Sequence, residues 1–296
     1  MKAREAPPSA SFCAIAHAIE RRLATPSTSP RLPVKSAKAR AVYCRGVAVA
    51  VVTGGSSGIG AATARALTAR GWHCVLLARR AAQLDRVAAE LGAETEICDV
   101  SDRAQVDDVA ARIGERHPAV QLLVNNAGFT GRRGFLDLDA EEVEQIVDTV
   151  YLGSVWCVRA FLPLLEAARP SHVVNVASVA GMFAHGSSGP YSAAKHAQLA
   201  FSRSVRRELA PRGIRVHTVN PGPVETPGFP QRDLLSRRLG SRLVLQPEQI
   251  AESIVRAVER DRAEIVVPRY LRAAGALQAL APGTLARLST RARGRA

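Results

Sequence analysis

Thr53-Gly54-Gly55-Ser56-Ser57-Gly58-Ile59-Gly60 is the stretch of this sequence that decides the fold. It follows an apolar run at 47–52 and precedes a segment with helical periodicity at 59–70. Glycines at this spacing let the chain turn tightly, let its backbone approach a pyrophosphate and let the helix pack closely on the strand. The N–H groups at the start of the helix then face the phosphates. The pattern predicts a nucleotide-binding turn formed by Gly54, Ser56, Ser57, Gly58, Ile59 and Gly60.

The rest of the chain repeats the same strand–helix unit. Short runs rich in Val, Leu and Ile are typical of parallel strands buried on both faces. The predicted strands are 47–52, 74–78, 94–98, 120–124, 172–177, 214–219 and 263–267, and the predicted helices are 59–70, 81–91, 102–116, 140–168, 191–210 and 247–260. We therefore predict an α/β fold: a Rossmann-like doubly wound parallel sheet of about seven strands with helices on both faces.

The net charge of +14 is concentrated at the two ends of the chain. Residues 1–45 carry nine basic and two acidic side chains, and residues 269–296 carry six arginines and no acid. The domain between them, 46–268, is close to neutral, whereas a nucleic-acid-binding fold places basic groups on its folded elements. We predict a basic, disordered N-terminal extension, with a transit peptide as the alternative, a basic C-terminal helical extension and no nucleic-acid partner.

Cysteine and histidine spacing gives no sign of a disulfide scaffold or a metal site. The five cysteines are widely spaced without a CxxC pair, and the seven histidines include no HExxH. No run approaches the roughly 18 apolar residues that a membrane span needs. These features favour the reducing cytoplasm and predict no metal ligands.

The end of the second predicted strand distinguishes the two nicotinamide dinucleotides. A carboxylate there accepts hydrogen bonds from the ribose hydroxyls of NAD, whereas an arginine binds the 2′-phosphate of NADP. The sequence reads Leu77-Ala78-Arg79-Arg80, without an acid before Asp85. Arg79 can form charge-assisted bonds to a phosphate, so we predict NADP(H), with NAD(H) less favoured.

Tyr191 and Lys195 lie four residues apart on a predicted helix, so they share one face. A nearby ammonium lowers the pKa of a phenol, which makes tyrosine usable as a proton donor or acceptor. Lys195 is the only lysine outside the N-terminal extension, although the chain uses arginine freely. Ser178 follows the fifth predicted strand and can donate a hydrogen bond to a substrate carbonyl.

These motifs occur in the order that is typical of the classical short-chain dehydrogenases/reductases (SDRs), and the chain resembles that family over about residues 46–268. The resemblance rests on the 53–60 turn, Asp99, Asn125-Asn126-Ala127-Gly128, Ser178, Tyr191-x-x-x-Lys195 and Pro221-Gly222. It implies a catalytic domain that binds NAD(P) and transfers a hydride between an alcohol and a carbonyl.

The resemblance also implies a role for each matching residue. Ser178 would orient the carbonyl, Tyr191 would exchange the proton, and Lys195 would bind the ribose and lower the pKa of Tyr191. The residues implied to bind the cofactor, besides the glycine-rich turn and Arg79, are Asp99, Val100, Asn126, Ala127, Gly128, Tyr191, Lys195, Pro221, Gly222, Val224 and Thr226.

Val150 is a departure from the family pattern. The family often has an asparagine here, in a stretch like Asn-Tyr-Leu-Gly-Ser-Val, and valine cannot hold the water that links the lysine to solvent. A rerouted relay, reduced turnover and an inactive homologue are the alternatives. A nucleotide-binding protein that regulates or interacts without catalysing is therefore the second functional hypothesis.

Substrate and partners are predicted from the segments that flank the site. The segments 183–190 and 224–245, with neighbouring Met182, are apolar enough to favour a small hydrophobic alcohol/carbonyl pair as substrate. The basic stretch after 267 has four alternative roles: a rim of the substrate mouth, peripheral contact with a membrane, an oligomer interface, or a solvated tail helix. The resemblance implies a homodimer or homotetramer formed through the predicted helices 140–168 and 191–210.

Overall fold

A seven-stranded parallel sheet forms the centre of the computed structural model, which describes residues 47–129, 135–184, 189–231, 243–281 and 283. The strands are β1 (Val49–Thr53), β2 (His73–Ala78), β3 (Glu94–Ile97), β4 (Leu122–Asn125), β5 (Ser171–Val176), β6 (Ile214–Pro221) and β7 (Glu264–Val267). They are ordered β3-β2-β1-β4-β5-β6-β7, and every neighbouring pair is parallel. The predicted fold class is confirmed.

Helices cover both faces of the sheet. They are α1 (Gly58–Thr68), α2 (Ala81–Leu91), α3 (Arg103–Arg116), α4 (Ala140–Val147), α5 (Gly153–Ala167), α6 (Gly189–Leu209), α7 (Pro247–Glu259) and α8 (Leu271–Leu280). One apolar core packs under α3, α5 and α6, and a second packs under α1, α2 and α7. In β1, Val49 and Val51 enter the first core while Ala50 and Val52 enter the second. Burial on both faces explains the uninterrupted apolar runs of the sequence.

The helix predicted over 140–168 is interrupted at its middle. A capping box starts α4: the Glu142 N–H donates to Asp139 at 2.7 Å, and the Asp139 N–H donates to Glu142 at 3.2 Å. A π-helical turn, Asp148–Leu152, then leads into α5. By length and composition alone, Ala140–Ala167 could cross a membrane. The α5 segment instead buries one face against the sheet, as a core helix does.

The strand order creates a crevice where the chain reverses its winding direction. From β1 the chain winds outward to β2 and β3, whereas β4 returns to the other side of β1 and β5 to β7 follow in order. Ligands of open α/β sheets bind outside the carboxyl ends of the strands at such a point. Strand β6 reaches Pro221, two residues beyond its predicted end, so its last residues lie at this edge. The N-terminal extension, residue 282 and residues 284–296 lie outside the described residues.

Candidate active site

A cleft of about 380 Å³ lies at the carboxyl ends of the strands and collects nearly all of the predicted site residues. Those that line it are Gly54, Ser56, Ser57, Gly58, Ile59, Arg79, Asp99, Val100, Asn126, Ala127, Gly128, Ser178, Tyr191, Lys195, Pro221, Gly222, Val224 and Thr226. Gly60 is the exception, because it lies behind the turn. The cleft also contains residues that the sequence did not indicate, among them Arg80, Phe129 and Thr149.

The glycine-rich turn needs its glycines for two different reasons. Gly54 and Gly58 have φ angles of +67° and +55°, a region that other residues seldom adopt. A Cβ on Gly54 would also lie 2.8 Å from Asn126 Nδ2. Gly60 has no such backbone conformation, but a Cβ there would collide with the carbonyl oxygen of Gly54. Gly60 therefore allows α1 to pack closely on the turn, and it does not line the cleft.

The start of α1 offers hydrogen-bond donors to an anion. Among the described residues, Ser57 makes no side-chain bond to cap α1, and the first turn of the helix contains no acid. Unpaired N–H groups and the positive end of the helix dipole favour a phosphate at such a place. Arg80 adds a positive charge beside the turn, since its Nη2 lies 3.1 Å from Ser57 Oγ and 3.5 Å from Ser56 Oγ.

Arg79 and Asp99 face each other across the ends of β2 and β3. Arg79 Nη1 lies 3.4 Å from Asp99 Oδ2, a loose contact that leaves half of the arginine side chain exposed. Burial raises the pKa of Asp99, but hydrogen bonds from Ser101 and the charge of Arg79 outweigh it and hold the pKa below its usual value. Asp99 is therefore ionised at neutral pH, and Arg79 keeps donors available for a second partner.

Asn126 fastens the loop after β4 to the glycine-rich turn. Its Nδ2 donates to the Thr53 carbonyl at 3.0 Å, and the backbone N–H groups of Asn126 and Ala127 donate to Thr53 Oγ1 at 2.9 and 3.0 Å. These bonds fix the two loops on either side of the crevice relative to each other.

Ser178, Tyr191 and Lys195 come together at the other end of the cleft. Ser178 follows β5 and caps the short turn Val179–Gly181, accepting from the Ala180 N–H at 3.1 Å. A Cβ on Gly181 would lie 2.5 Å from the Lys195 carbonyl oxygen, so glycine lets this turn press against α6. Ser178 hydrogen-bonds to Tyr191, and Lys195 Nζ lies 5.8 Å from the centre of the tyrosine ring.

Lys195 is held by a chain of buried hydrogen bonds. Its Nζ donates to the Val176 carbonyl at 2.8 Å and to Gln198 Oε1 at 2.9 Å. Gln198 Nε2 donates to Ser154 Oγ at 2.7 Å, and Ser154 Oγ donates to the Val150 carbonyl at 3.2 Å. Neither Gln198 nor Ser154 was predicted as a site residue from the sequence. The position of Gln198, one helical turn after Lys195, was the available signal.

Burial changes the acid–base properties of this group of residues. It lowers the pKa of Lys195 to about 7 and raises the pKa of Tyr191 to about 12, although the hydrogen bond with Ser178 lowers the latter in part. For Tyr191, removal of the phenolate from water outweighs the hydrogen bond with Ser178. The expected lowering of the Tyr191 pKa by Lys195 stays a prediction.

Val150 lies in the π-helical turn and is completely buried. Its side chain packs with Ile146 and Ala194, and with the partly buried ring of Tyr191. The valine therefore fills an apolar contact between α4 and α6, while its carbonyl serves as the end of the hydrogen-bond chain from Lys195. Where the family often has an asparagine, this chain has Val150, and the hydrogen bonds from Lys195 run through the side chains of Gln198 and Ser154.

Two aromatic side chains line the cleft, and the C-terminal helix borders it. Phe129 and Phe229 line it. Leu271 and Pro268 approach Gly222, and Met182 approaches Gly275 of α8, so this helix borders the cleft. Helix α8 carries one basic residue, Arg272, and four of the six arginines of 269–296 lie outside the described residues. Of the two segments predicted to cover the site, residues 185–188 and 232–242 lie outside the described residues.

The cleft fits a nicotinamide dinucleotide. The start of α1 has no side-chain cap, which suits a pyrophosphate. The neighbours of Gly54 leave no space for a side chain at the turn, so the backbone itself lines the cleft there. In addition, Thr149 Oγ1 is buried at the cleft without a hydrogen-bond partner among the described residues. An unpaired buried hydroxyl is costly unless a ligand or water meets it.

Comparisons with known proteins agree with this geometry. A family model described as short chain dehydrogenase matches residues 48–233. An uncharacterized oxidoreductase of Staphylococcus saprophyticus is 33% identical over 218 residues, which make up 72% of this chain and 91% of that protein.

Two solved structures share the fold at 28% identity. An alcohol dehydrogenase from the archaeon Thermococcus sibiricus, complexed with 5-hydroxy-NADP, has a TM-score of 0.66 over 75% of this chain and 96% of its own. A short-chain dehydrogenase/reductase from Burkholderia phymatum in complex with NAD has a TM-score of 0.70 over 78% and 92%, respectively. The chain therefore belongs to the short-chain dehydrogenase/reductase family of oxidoreductases, which use a nicotinamide cofactor.

Proposed function

We propose that this protein transfers a hydride between NADP(H) and a hydrophobic alcohol/ketone pair, with Tyr191 as the proton donor and acceptor. The observation that carries the proposal is the convergence of Ser178, Tyr191 and Lys195 in the cleft that the glycine-rich turn borders. The bound cofactor would supply or accept the hydride.

The side chains have distinct tasks in carbonyl reduction. The Ser178 hydroxyl donates to the substrate oxygen, and the Tyr191 hydroxyl, which is protonated at neutral pH, delivers a proton to it. The Lys195 ammonium stabilises the phenolate that remains and donates to the ribose of the cofactor. Burial raises the pKa of Tyr191 to about 12, so its hydroxyl carries the proton that reduction requires.

The preference for NADP(H) is supported by two arginines at the end of β2. Arg79 is half exposed and loosely paired, and Arg80 lies over the serines of the glycine-rich turn. Both line the cleft, and both can bind phosphate oxygens. The hydrophobic substrate is supported by Phe129 and Phe229, which add apolar surface to the cleft.

A panel of ketones and aldehydes of graded hydrophobicity, with NADPH oxidation followed by absorbance, tests the proposal. We expect turnover of hydrophobic carbonyls by the wild type and loss of turnover in Tyr191→Phe, with NADPH binding retained. Tyr151→Phe is the matched control, since Tyr151 contacts Phe201 and does not line the cleft. A wild type that binds NADPH but turns over nothing would favour the second function, a nucleotide-binding protein with a regulatory role.

A further inference from the structure

His73, Glu94 and His117 converge at the amino-terminal edge of the sheet, opposite the cofactor cleft. His73 begins β2, Glu94 begins β3, and His117 follows the last residue of α3. Both imidazole Nε2 atoms point at the same carboxylate oxygen: Glu94 Oε1 lies 2.7 Å from His73 Nε2 and 2.8 Å from His117 Nε2. The three atoms all lie within 4.8 Å of one another.

The hydrogen bonds to Glu94 are the only ones that the two imidazole rings make among the described residues. Within the described part of the chain, neither His73 nor His117 uses its Nδ1 in a hydrogen bond. A hydrogen bond to Glu94 needs the proton of each ring on Nε2, whereas metal binding needs it on Nδ1, which each ring can protonate instead. Their ring centres are 5.2 Å apart and tilted by 41°, so the Nε2 atoms approach while the rings do not clash.

Arg116 holds the carboxylate of Glu94 from the outside. Its Nε donates to Glu94 Oε2 at 3.0 Å, and its Nη2 donates to Glu96 Oε1 at 2.7 Å. A hydrogen bond to the free oxygen of a carboxylate ligand orients that ligand toward the metal. Glu96, which also accepts from Arg112 at 2.8 Å, offsets part of the positive charge that would oppose a cation.

We propose that His73, Glu94 and His117 form a binding site for a divalent transition-metal ion of the Zn²⁺ type. Two imidazoles and one carboxylate are a common zinc ligand set, and bond lengths of about 2.0–2.2 Å place tetrahedral ligand atoms roughly 3.4 Å apart. The oxygen–nitrogen separations need to open by about 0.6 Å to reach this value. The side chains are 18–32% exposed, so water can occupy the fourth position.

The bound ion would join β2, the edge strand β3 and the end of α3. Sequence spacing gave no hint of it, because 21 residues separate His73 from Glu94 and 23 separate Glu94 from His117. The site lies away from the cleft, so its role is structural: it stabilises the folded state by mass action when the metal is present.

The experiment titrates Zn²⁺ into the metal-free, full-length protein, purified without a histidine tag, and follows heat and thermal unfolding. We expect one Zn²⁺ per chain with a Kd on the order of 1 μM or tighter and a Tm that rises with Zn²⁺ concentration. His73→Gln, Glu94→Gln and His117→Gln should each weaken binding at least about tenfold. The control is His196→Gln, which removes an exposed histidine on α6.

Co²⁺ in place of Zn²⁺ provides a second measurement that does not depend on stability. The proposal predicts visible absorption bands of four-coordinate Co²⁺ in the wild type and in His196→Gln, and their loss in the three cluster variants. Retained far-ultraviolet circular dichroism and NADPH binding establish that each variant is folded. The proposal is overturned if the wild type binds no stoichiometric Zn²⁺, or if folded cluster variants bind it as tightly as the control.

Discussion

Replacement of Gln198 by leucine tests the hydrogen-bond chain that holds Lys195. Leucine has a similar size and suits a helix, but it cannot accept from Lys195 Nζ or donate to Ser154 Oγ. Lys195 would keep Val176 O as its acceptor. A charge-assisted hydrogen bond contributes about 1.5–3 kcal/mol, and one pKa unit corresponds to about 1.4 kcal/mol. We therefore expect the pKa of Lys195 to fall by roughly 1–2 units below its value of about 7.

The assay is the pH dependence of kcat/KM for NADPH-dependent carbonyl reduction between pH 5 and 9. If the reaction needs the Lys195 ammonium, the alkaline limb of the profile moves down by the same 1–2 units in Gln198→Leu. Because the protonated fraction at pH 7 then drops, kcat/KM at that pH should fall roughly 5–50-fold. Gln198→Glu should move the limb in the opposite direction, since a carboxylate favours the charged amine.

Two results would refute this reasoning. One is a Gln198→Leu variant that binds NADPH, unfolds like the wild type and has an unchanged profile. The other is a shift of equal size in His196→Gln, which alters an exposed position on the same helix. Either result would mean that Gln198 only fills space between α5 and α6.

Three further predictions follow from the same site. Arg79→Ala should weaken NADPH binding by about 1.5–3 kcal/mol more than NADH binding. The lower end of this range is expected because the Arg79 side chain is half exposed. Equal losses of affinity for the two cofactors in fluorescence titrations would contradict the preference for NADP(H). Val150→Asn should leave kcat unchanged and cost about 1–3 kcal/mol in urea unfolding, because the buried pocket of Val150 is apolar and Gln198 already contacts Lys195. A clear gain in rate would contradict that. The pKa of Lys195 is lower in the folded state than in the unfolded state, so the unfolded chain binds more protons between these two pKa values. The free energy of unfolding should therefore rise with pH between about 7 and 9.5, by up to about 3 kcal/mol. Lys195→Met should lose this rise, and an identical pH dependence in both proteins would refute the assignment.

The fold was predictable because its signals are local. Apolar runs such as the one at β1, the glycines of the 53–60 turn and the capping box at Asp139 depend on residues close together in the chain. The pairing of Tyr191 with Lys195 is local as well, because residues four apart share a helix face. The resemblance to the SDR family added the cofactor-binding residues beyond the turn and Arg79, such as Asp99 and Thr226, which line the same cleft, while their roles stay predictions.

The remaining features depend on packing between distant segments. The link from Lys195 through Gln198 to Ser154 exists because α5 and α6 pack against each other, and a sequence pattern does not reveal which side chains meet there. The pKa values of Tyr191 and Lys195 depend on how completely the fold excludes water from them. The sequence by itself therefore determined the layered sheet, the glycine-rich turn and the tyrosine–lysine pair. The tertiary structure decided which buried groups are paired and how they ionise, because both depend on contacts between residues far apart in the chain.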